Sequence, residues 1–195
     1  MIKTRQDLKR YMEQDARALN IIDRKRPKFF GDEIWKFQIL LRKCEFYTNI
    51  KKAKRLFLMP AYVITRYRFK VLSLKLGFSI PLNVFEEGLS IAHYGTIVVN
   101  SAAKVGKNCR IHEGVNIGAT NGSAKAPIIG DNVFIGTGAK IIGDITIAND
   151  VAIGANAVVV KSIEDSGVTY GGIPAKKISD KNSHSNLSSF LFEIS

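Results

Sequence analysis

The chain has 195 residues, of which 46% are hydrophobic, so it can bury a core and its composition excludes wholesale disorder. Residues 1–76 contain 20 Lys and Arg against 7 Asp and Glu, whereas the rest of the chain carries 9 and 10, so the net charge of +12 belongs to the first part. Two cysteines form no disulfide framework, and no apolar signal segment is visible. These features favour a cytoplasmic protein whose N-terminal part meets an anionic partner, with the inner face of the membrane as one option.

The first 76 residues are predicted to form a basic helical region. Residues 3–24 and 31–50 place apolar side chains three and four residues apart, which is the spacing of an amphipathic helix. Residues 51–76 mix Lys and Arg with bulky apolar side chains, and Gly77 is expected to end the helical section. This mixture favours peripheral membrane contact over nucleic-acid binding, because no recognised nucleic-acid module accompanies the charge.

After Gly77 the sequence repeats with a period of six. One aliphatic column runs from Val99 to Val159, and a second column lies two residues earlier, from Ile97 to Ile163. Apolar residues at i and i+2 point to one face of a short strand, and the other positions suit corners. The pattern predicts a parallel β-solenoid over residues 77–178, followed by a tail over 179–195. A β-sandwich would space its turns less regularly.

Five segments resemble the hexapeptide-repeat acyltransferases, especially serine acetyltransferases and the related O-acetyltransferases of surface-polysaccharide biosynthesis. They are residues 93–99 (HYGTIVV), 113–118 (EGVNIG), 135–143 (IGTGAKIIG), 154–159 (GANAVV) and 171–178 (GGIPAKKI). The resemblance implies an α+β chain in which the helical region precedes a left-handed parallel β-helix of about four to five coils. It also implies acetyl-CoA as co-substrate and a homotrimer, or a dimer of trimers. No metal is expected, because a zinc site would need a histidine cluster and the chain has 3 His.

His93 is the main catalytic candidate, because it continues the phase of the aliphatic column six residues before Val99. A polar side chain at an interior position is costly unless it lies at an opening, so this departure indicates function. By the resemblance, His93 is the general base that takes the proton of the acceptor hydroxyl. Closing an irregular first coil is the alternative role.

The group that orients this base is less clear from the sequence. Serine acetyltransferases have an Asp about fifteen residues before the base, and Ser79 occupies that place here, as a residue of the substrate pocket. Glu113, about one coil after His93, is the replacement candidate, and an exposed corner carboxylate is its alternative interpretation. His112 could line the same site, although a surface corner histidine is the simpler interpretation.

The acceptor is expected to be a saccharide hydroxyl. Serine acetyltransferases carry Arg-His-Pro where this chain has Lys125, Ala126 and Pro127, and Lys is a poor bidentate partner for an α-carboxylate. Residues 119–127 interrupt the columns and are predicted to form a projecting loop that brings Lys125 to the substrate. Serine O-acetylation is the first alternative, and a non-enzymatic scaffold at a membrane surface is the second.

The pantetheine arm of acetyl-CoA has to run along the outside of the coil, where small residues let it approach the backbone. The residues predicted to line its path are Gly118, Ala119, Gly136, Gly138, Ala139, Gly154, Ala155 and Ala157. Corner geometry requires glycine with or without a ligand, so the prediction has a purely structural alternative. By the resemblance, Lys176 and Lys177 lie near the nucleotide phosphates.

Overall fold

The computed structural model describes residues 1–120 and 122–192, in which a helical region precedes a three-sided parallel β-helix. The helices are α1 (Arg5–Ala18), α2 (Glu33–Asn49), α3 (Lys52–Phe57) and α4 (Met59–Leu76). The predicted α+β class is therefore confirmed. Asn121 of the predicted loop and residues 193–195 of the predicted tail lie outside the described residues.

Local signals end the helices earlier than the apolar periodicity predicts. α1 begins behind a capping box made by Thr4 and Asp7, and it stops at Ala18 because Asn20 adopts a left-handed φ of 59°. The predicted end at residue 24 was therefore wrong. Residues 51–76 form two helices, and Pro60 lies in the first turn of α4, where the N–H that proline lacks has no partner to lose. Gly77, with a φ of 79°, caps α4 as predicted.

Short strands follow one another through the solenoid. They are β1 (Phe78–Ser79), β2 (Ser90–Ile91), β3 (Ile97–Val99), β4 (Lys104–Val105), β5 (Arg110–Ile111), β6 (Asn116–Gly118), β7 (Ile128–Ile129), β8 (Phe134–Ile135), β9 (Lys140–Ile142), β10 (Thr146–Ile147), β11 (Ala152–Ile153), β12 (Val158–Val159), β13 (Thr169–Gly171) and β14 (Lys176–Ser179). They form three sheets, one on each side of a triangular prism.

The first sheet has the strand order β1-β3-β6-β9-β12, the second β10-β7-β4, and the third β14-β13-β11-β8-β5-β2. All pairs in these sheets are parallel except β13 with β14. Single bridges from Phe85 to Val105 and from Ile147 to Ile163 extend the second sheet. Each side thus has five parallel rungs within the described residues, as the predicted four to five coils require.

The six-residue period arises because one aliphatic side chain of each strand fills the interior. Ile111, Ile117, Ile135, Ile141 and Ile153 are all 0% exposed. Burying a side chain of this size stabilises a fold by about 1.5–3 kcal/mol, so the column accounts for a large part of the cohesion of the coil. Since the phase is imposed by this interior, a corner can change its length only where a projecting loop or bulge absorbs the difference.

α2 and α4 close the N-terminal end of the coil and share one hydrophobic core with it. Phe37 stacks on Phe69 with ring centroids 5.2 Å apart, and it meets Phe78 edge-on at 5.0 Å. The buried Gln38 donates to the carbonyl of Leu89 at 2.6 Å, which ties α2 to the first coil. The division into residues 1–76, 77–178 and 179–195 stays a prediction, because the first two parts are built on this common core.

A buried charge cluster makes a second connection between the helices and the first coil. Arg42 is wholly buried, and its five N–H groups all donate, at 2.7–3.2 Å, to carboxylates and backbone carbonyls: those of Asp15, Glu45, Phe85 and Glu86. Asp15 in turn accepts from the N–H groups of Gly88 and Leu89 at 2.9 Å each. Because residues 85–89 lead directly into β2, this cluster positions the coil that carries His93.

The C-terminal residues return along the molecule in two short 3₁₀ turns, His184–Asn186 and Ser189–Leu191. Ser188 Oγ donates to the carbonyl of Arg17 at 2.8 Å, which attaches the tail to α1. Among the described residues, no helix combines the length and the apolar character needed to cross a bilayer.

Candidate active site

The site lies at the corner where the chain passes from the six-stranded sheet to the five-stranded sheet. Ile91 pairs with Ile111, Ile111 with Ile135, and Ile135 with Ile153, one on each of four successive coils. Two residues after each isoleucine the chain is in the corner. The register therefore stacks four residues in one row along the solenoid axis, which we call the corner ladder: His93, Glu113, Thr137 and Ala155.

The first coil is longer than the second at this corner. Ile91 precedes its partner Ile111 by 20 residues, whereas Val99 precedes its partner Ile117 by 18. Two extra residues therefore bulge outward between β2 and β3, and both His93 and Tyr94 are exposed there. The prediction that His93 occupies an interior-phase position was wrong. Its coincidence with the aliphatic phase hides a local insertion that pushes it to the surface.

Three titratable side chains converge at the upper end of the ladder: His93, Glu113 and His112. One nitrogen or oxygen atom from each lies within 4.8 Å of the other two. The two imidazole rings meet edge to face, with centroids 5.7 Å apart at an angle of 71°, and His112 Nδ1 lies 4.0 Å from Glu113 Oε2. The two predicted catalytic residues are therefore neighbours, as their 20-residue spacing indicates, while their roles stay a prediction.

The electrostatics of the cluster separate the charge states of its members. The pKa of Glu113 is lowered by a hydrogen bond from its own backbone N–H, and the positive ends of the two histidines act in the same direction. The pKa of His112 is lowered from 6.5, first by burial and then by the charge of Arg110. At neutral pH the cluster thus contains an ionised carboxylate beside a neutral His112.

His112 belongs to this site, and its interpretation as a surface corner histidine was wrong. Its ring packs edge-on against Phe134 at 5.2 Å, and its Nδ1 lies 3.5 Å from Thr137 Oγ1. His112 Nε2 and Glu113 Oε2 are buried and have no hydrogen-bond partner among the described residues. Buried polar atoms without a partner call for an explanation, and at an open corner a bound molecule can provide the missing partner.

Arg110 is a second site residue that the sequence reasoning missed. It lies on β5 two residues before His112, on the same outward face, and its Nη1 donates to Ser90 Oγ at 3.2 Å. Burial lowers the pKa of this half-buried guanidinium, and no carboxylate within the described part of the chain lies in salt-bridge range of it. An arginine in this state can receive an anionic group of a ligand.

The two predicted substrate residues lie away from the cluster. Ser79 is on β1, where its register partner is Val98, so it belongs to the sheet beyond the corner. Lys125 is in the loop between β6 and β7, and its Nζ is held by Asp144 at 2.8 Å. The loop leaves the phase intact, as predicted, because Ile117 still pairs with an inward residue, Ile141.

The small residues predicted along the cofactor path divide into two groups. Ala139 and Ala157 are wholly buried, so they face the core and can offer only backbone groups to a ligand outside; the prediction was wrong for their side chains. Gly136, Gly138, Gly154 and Ala155 lie at the corner itself. A Cβ added to Gly136 would come within 2.8 Å of the Ala155 nitrogen, so close stacking of the coils requires this glycine without any ligand.

The remaining cofactor candidates lie elsewhere on the solenoid. Gly118 and Ala119 are at the next corner, at the start of the loop that ends at β7. Lys177 Nζ lies 2.7 Å from Asp180 and 3.7 Å from Asp165, so its charge is already balanced. Lys176 is exposed on β14, and no carboxylate of the described residues lies within 4.0 Å of it. Of the two lysines, Lys176 is the freer to meet a phosphate.

The donor set of the cluster also resembles that of a metal site. Zinc with bonds of about 2.1 Å holds its ligand atoms roughly 3.4 Å apart, closer than the 4.8 Å that bounds His93, His112 and Glu113. As it stands, the arrangement suits proton transfer, in which an imidazole accepts a proton while a nearby carboxylate stabilises the resulting charge.

The solenoid and this histidine–carboxylate corner together define an acyltransferase of the hexapeptide-repeat class. The profile of the bacterial transferase hexapeptide family (six repeats) matches residues 126–161. Within that class, the chain belongs to the serine acetyltransferase family. It is 31% identical over 202 residues to the serine acetyltransferase of Staphylococcus epidermidis, which covers 98% of this chain and 88% of that protein. The serine acetyltransferase of Mycobacterium tuberculosis is 42% identical over 90 residues, or 45% of this chain and 39% of that protein.

Solved structures of the family have the same architecture. The serine acetyltransferase of Brucella abortus in complex with coenzyme A has a TM-score of 0.67 at 25% identity, covering 91% of this chain and 70% of that chain. The Neisseria gonorrhoeae serine acetyltransferase in complex with serine has a TM-score of 0.66 at 26% identity, covering 88% and 69%. The left-handed β-helix, the acetyltransferase activity and acetyl-CoA as co-substrate are thus confirmed.

Proposed function

We propose that the chain transfers the acetyl group of acetyl-CoA to the hydroxyl of serine, with His93 as the general base. The observation that carries the proposal is the exposed His93 within 4.8 Å of the ionised Glu113, at a corner lined by small residues. Relatives named for serine acetylation support the acceptor. This reverses the preference for a saccharide that the sequence pattern suggested.

In the proposed reaction, His93 takes the proton of the serine hydroxyl as its oxygen attacks the thioester carbonyl. The bond between the carbonyl carbon and sulfur then breaks, and the leaving thiolate takes that proton from His93. O-acetylserine and coenzyme A are the products, and no group of the protein is acetylated on the way. Glu113 stabilises the transient imidazolium, because an anion near the ring favours its charged form.

Acetyl-CoA is proposed to lie along the corner ladder. Neighbouring strands are about 4.8 Å apart, so the three steps from Ala155 to His93 span roughly 14 Å. Thr137 and Ala155 leave this stretch without a bulky side chain, and Gly136, Gly138 and Gly154 bring the backbone close to the surface there. Lys176 is the proposed contact for the nucleotide phosphates. The other wall of the cleft would come from a neighbouring solenoid of a homotrimer.

Arg110 is proposed as the anchor for the carboxylate of serine. Family members place an arginine in the Arg-His-Pro segment, where this chain has Lys125, and the charge of Lys125 is already balanced by Asp144 at 2.8 Å. Arg110 has no such partner among the described residues and stands two residues from His112. A guanidinium can hold a carboxylate through two parallel hydrogen bonds, which fixes the direction of the hydroxyl.

A saccharide hydroxyl is the second candidate acceptor, and Tyr94 is the observation that favours it. This ring directly follows His93 and is 74% exposed, so it offers a flat apolar surface beside the base. Such a surface suits a sugar ring better than the small side chain of serine. The loss of the Arg-His-Pro segment is also easier to understand for an acceptor without an α-carboxylate.

The test is thiol release from acetyl-CoA with L-serine and with a panel of sugars and nucleotide sugars. We expect His93→Gln to lower kcat by about 10²–10⁴-fold with little change in the KM of acetyl-CoA. His184→Gln, which changes a histidine bound to Asp150 in the tail, should leave kcat unchanged. Turnover of a sugar but not of serine would establish the second candidate, and full activity of His93→Gln would refute the mechanism.

A further inference from the structure

α4 has apolar residues on two opposite faces, and only one of them is covered by the protein. Its buried residues, Phe69, Ser73 and Leu76, face α2 and the coil. On the other side, five large apolar residues are exposed by 47–71%: Val63, Ile64, Tyr67, Val71 and Leu74. Successive residues of an α-helix are rotated by about 100°, so these five fall within one arc of about 100°. We call them the α4 stripe.

Cations border the α4 stripe on both sides. By the same rotation, Arg66 and Lys70 follow one edge of the stripe, and Arg68 and Lys75 follow the other. Residues 51–76 contain eight Lys and Arg and no Asp or Glu. No carboxylate in the described part of the chain lies within 4.0 Å of any of these cations. The cationic charge of this surface is therefore not balanced within it.

α3 continues the same surface. It contributes Leu56 and Phe57, which are 70% and 86% exposed, beside Lys52, Lys54 and Arg55. Contiguous exposed apolar area of this kind marks an interaction surface rather than ordinary solvent-exposed residues. Its partner has to accept apolar side chains in the middle and positive charge around them.

A second copy of the chain is a poor match for this surface. Two copies meeting through their α4 stripes would bring the eight cations of one against the eight of the other, with no acidic residue in the segment to separate them. Like charges placed opposite each other disfavour association. An anionic bilayer has the complementary arrangement, because its acyl chains accept the apolar stripe while Lys and Arg extend to the phosphates.

We propose that α3 and α4 dock on the surface of an anionic lipid bilayer. α4 lies in the plane of the membrane with its stripe immersed at the level of the headgroups, and the solenoid stands on the water side. The face of α4 that holds the coil is unaffected, so docking requires no rearrangement of the active site. The proposal is independent of the acceptor and of the proposed catalytic mechanism.

The test is co-sedimentation of the full chain with vesicles at low salt. We expect binding to phosphatidylcholine vesicles that contain 30% phosphatidylglycerol and none to pure phosphatidylcholine. Ile64→Ser should weaken binding about tenfold. Ile22→Ser is the matched control, because Ile22 is 60% exposed and Ile64 59% exposed. Lys70→Gln should weaken binding roughly fivefold, while Lys161→Gln, on the solenoid, should not.

Equal binding to neutral and anionic vesicles, or no binding to either, would overturn the proposal. So would an Ile64→Ser variant that binds like the wild type. Sedimentation velocity covers the remaining occupant: self-association of the wild type that Ile64→Ser abolishes would assign the stripe to a second copy. Acetyl transfer by both isoleucine variants at the wild-type rate verifies that they are folded.

Discussion

Arg42 and Asp15 form a two-pronged ion pair in the interior, with Nε 2.8 Å from Oδ2 and Nη2 3.2 Å from Oδ1. The side chain of Arg42 is 0% exposed and that of Asp15 is 2% exposed. Although burial opposes the charge, Asp15 and Glu45 hold the pKa of Arg42 above its usual value. Because the pair links α1 and α2 to the segment before β2, it sets how the helices meet the first coil.

We expect Arg42→Met to lower the free energy of unfolding by about 3–5 kcal/mol, because two carboxylates would stay buried without their cation. The measurement is urea unfolding at one fixed protein concentration, followed by circular dichroism. Arg26→Met, at an exposed position of the same basic region, should change the value by less than about 0.5 kcal/mol. Similar effects of the two substitutions would show that the buried pair contributes little.

The contrast between the solenoid and this charge cluster shows what can be predicted from sequence. The interior columns repeat, so Ile111 and Ile135 announce their position by spacing alone. Arg42 does not repeat: it is one of 20 Lys and Arg in the first 76 residues, and its partners include an Asp 27 residues away and two backbone carbonyls of the first coil. No local pattern distinguishes it from an exposed cation.

We expect Glu113→Gln to lower kcat for acetyl transfer by about 10²-fold, since the amide lacks the charge that stabilises protonated His93. The KM of acetyl-CoA should change little, because the corner backbone is unaffected. Glu164→Gln, at an exposed position near the end of the coil, is the control with the same change of charge. A Glu113→Gln enzyme with wild-type kcat would mean that another group orients the base.

The site itself was predictable only in part. His93 and Glu113 followed from a resemblance and from a spacing of about one coil. His112 and Arg110 were missed because outward positions of a solenoid carry no periodic constraint, so nothing in the sequence separates a site residue there from a solvent-exposed one. Ala139 and Ala157 were misplaced for a related reason: a small residue suits both the interior of a narrow coil and its outer surface.

The pKa of His112 predicts a pH dependence of stability. The folded state lowers this pKa from 6.5, so below pH 6.5 the unfolded chain binds more protons than the folded one. The free energy of unfolding should therefore fall as the pH decreases from 6.5 towards the folded pKa and then level off, while above 6.5 this contribution is fully present. Urea unfolding at several pH values between 7.5 and 5 measures the slope.

His112→Gln removes the titrating group, so the slope between pH 6.5 and the folded pKa should flatten. Glu113 titrates below 4.5 and adds nothing to this window. At pH 7.5 His112 is neutral in both states, which makes that point the internal reference for the substitution itself. A slope that persists unchanged in His112→Gln would assign the proton uptake to another group.

Arg110→Gln tests how the acceptor is held. If the guanidinium binds the carboxylate of serine, the substitution should raise the KM of serine by about 10-fold or more and leave the KM of acetyl-CoA unchanged. 2-Aminoethanol, which keeps the hydroxyl and the amine but lacks the carboxylate, should lose nothing. The preference of the wild type for serine over 2-aminoethanol should thus disappear in the variant, which a purely structural role of Arg110 would not produce.

Two further variants decide between the candidate cations. Arg110→Lys should restore only part of the affinity, because an ammonium cannot make two parallel bonds to a carboxylate. Lys125→Gln should leave the KM of serine unchanged, since Lys125 is bound to Asp144. The opposite result, with Lys125→Gln raising the KM and Arg110→Gln inactive in this assay, would place the acceptor under the loop of residues 119–127. A lower charge at Arg110→Gln should also raise the pKa of His112, which NMR titration measures independently of turnover.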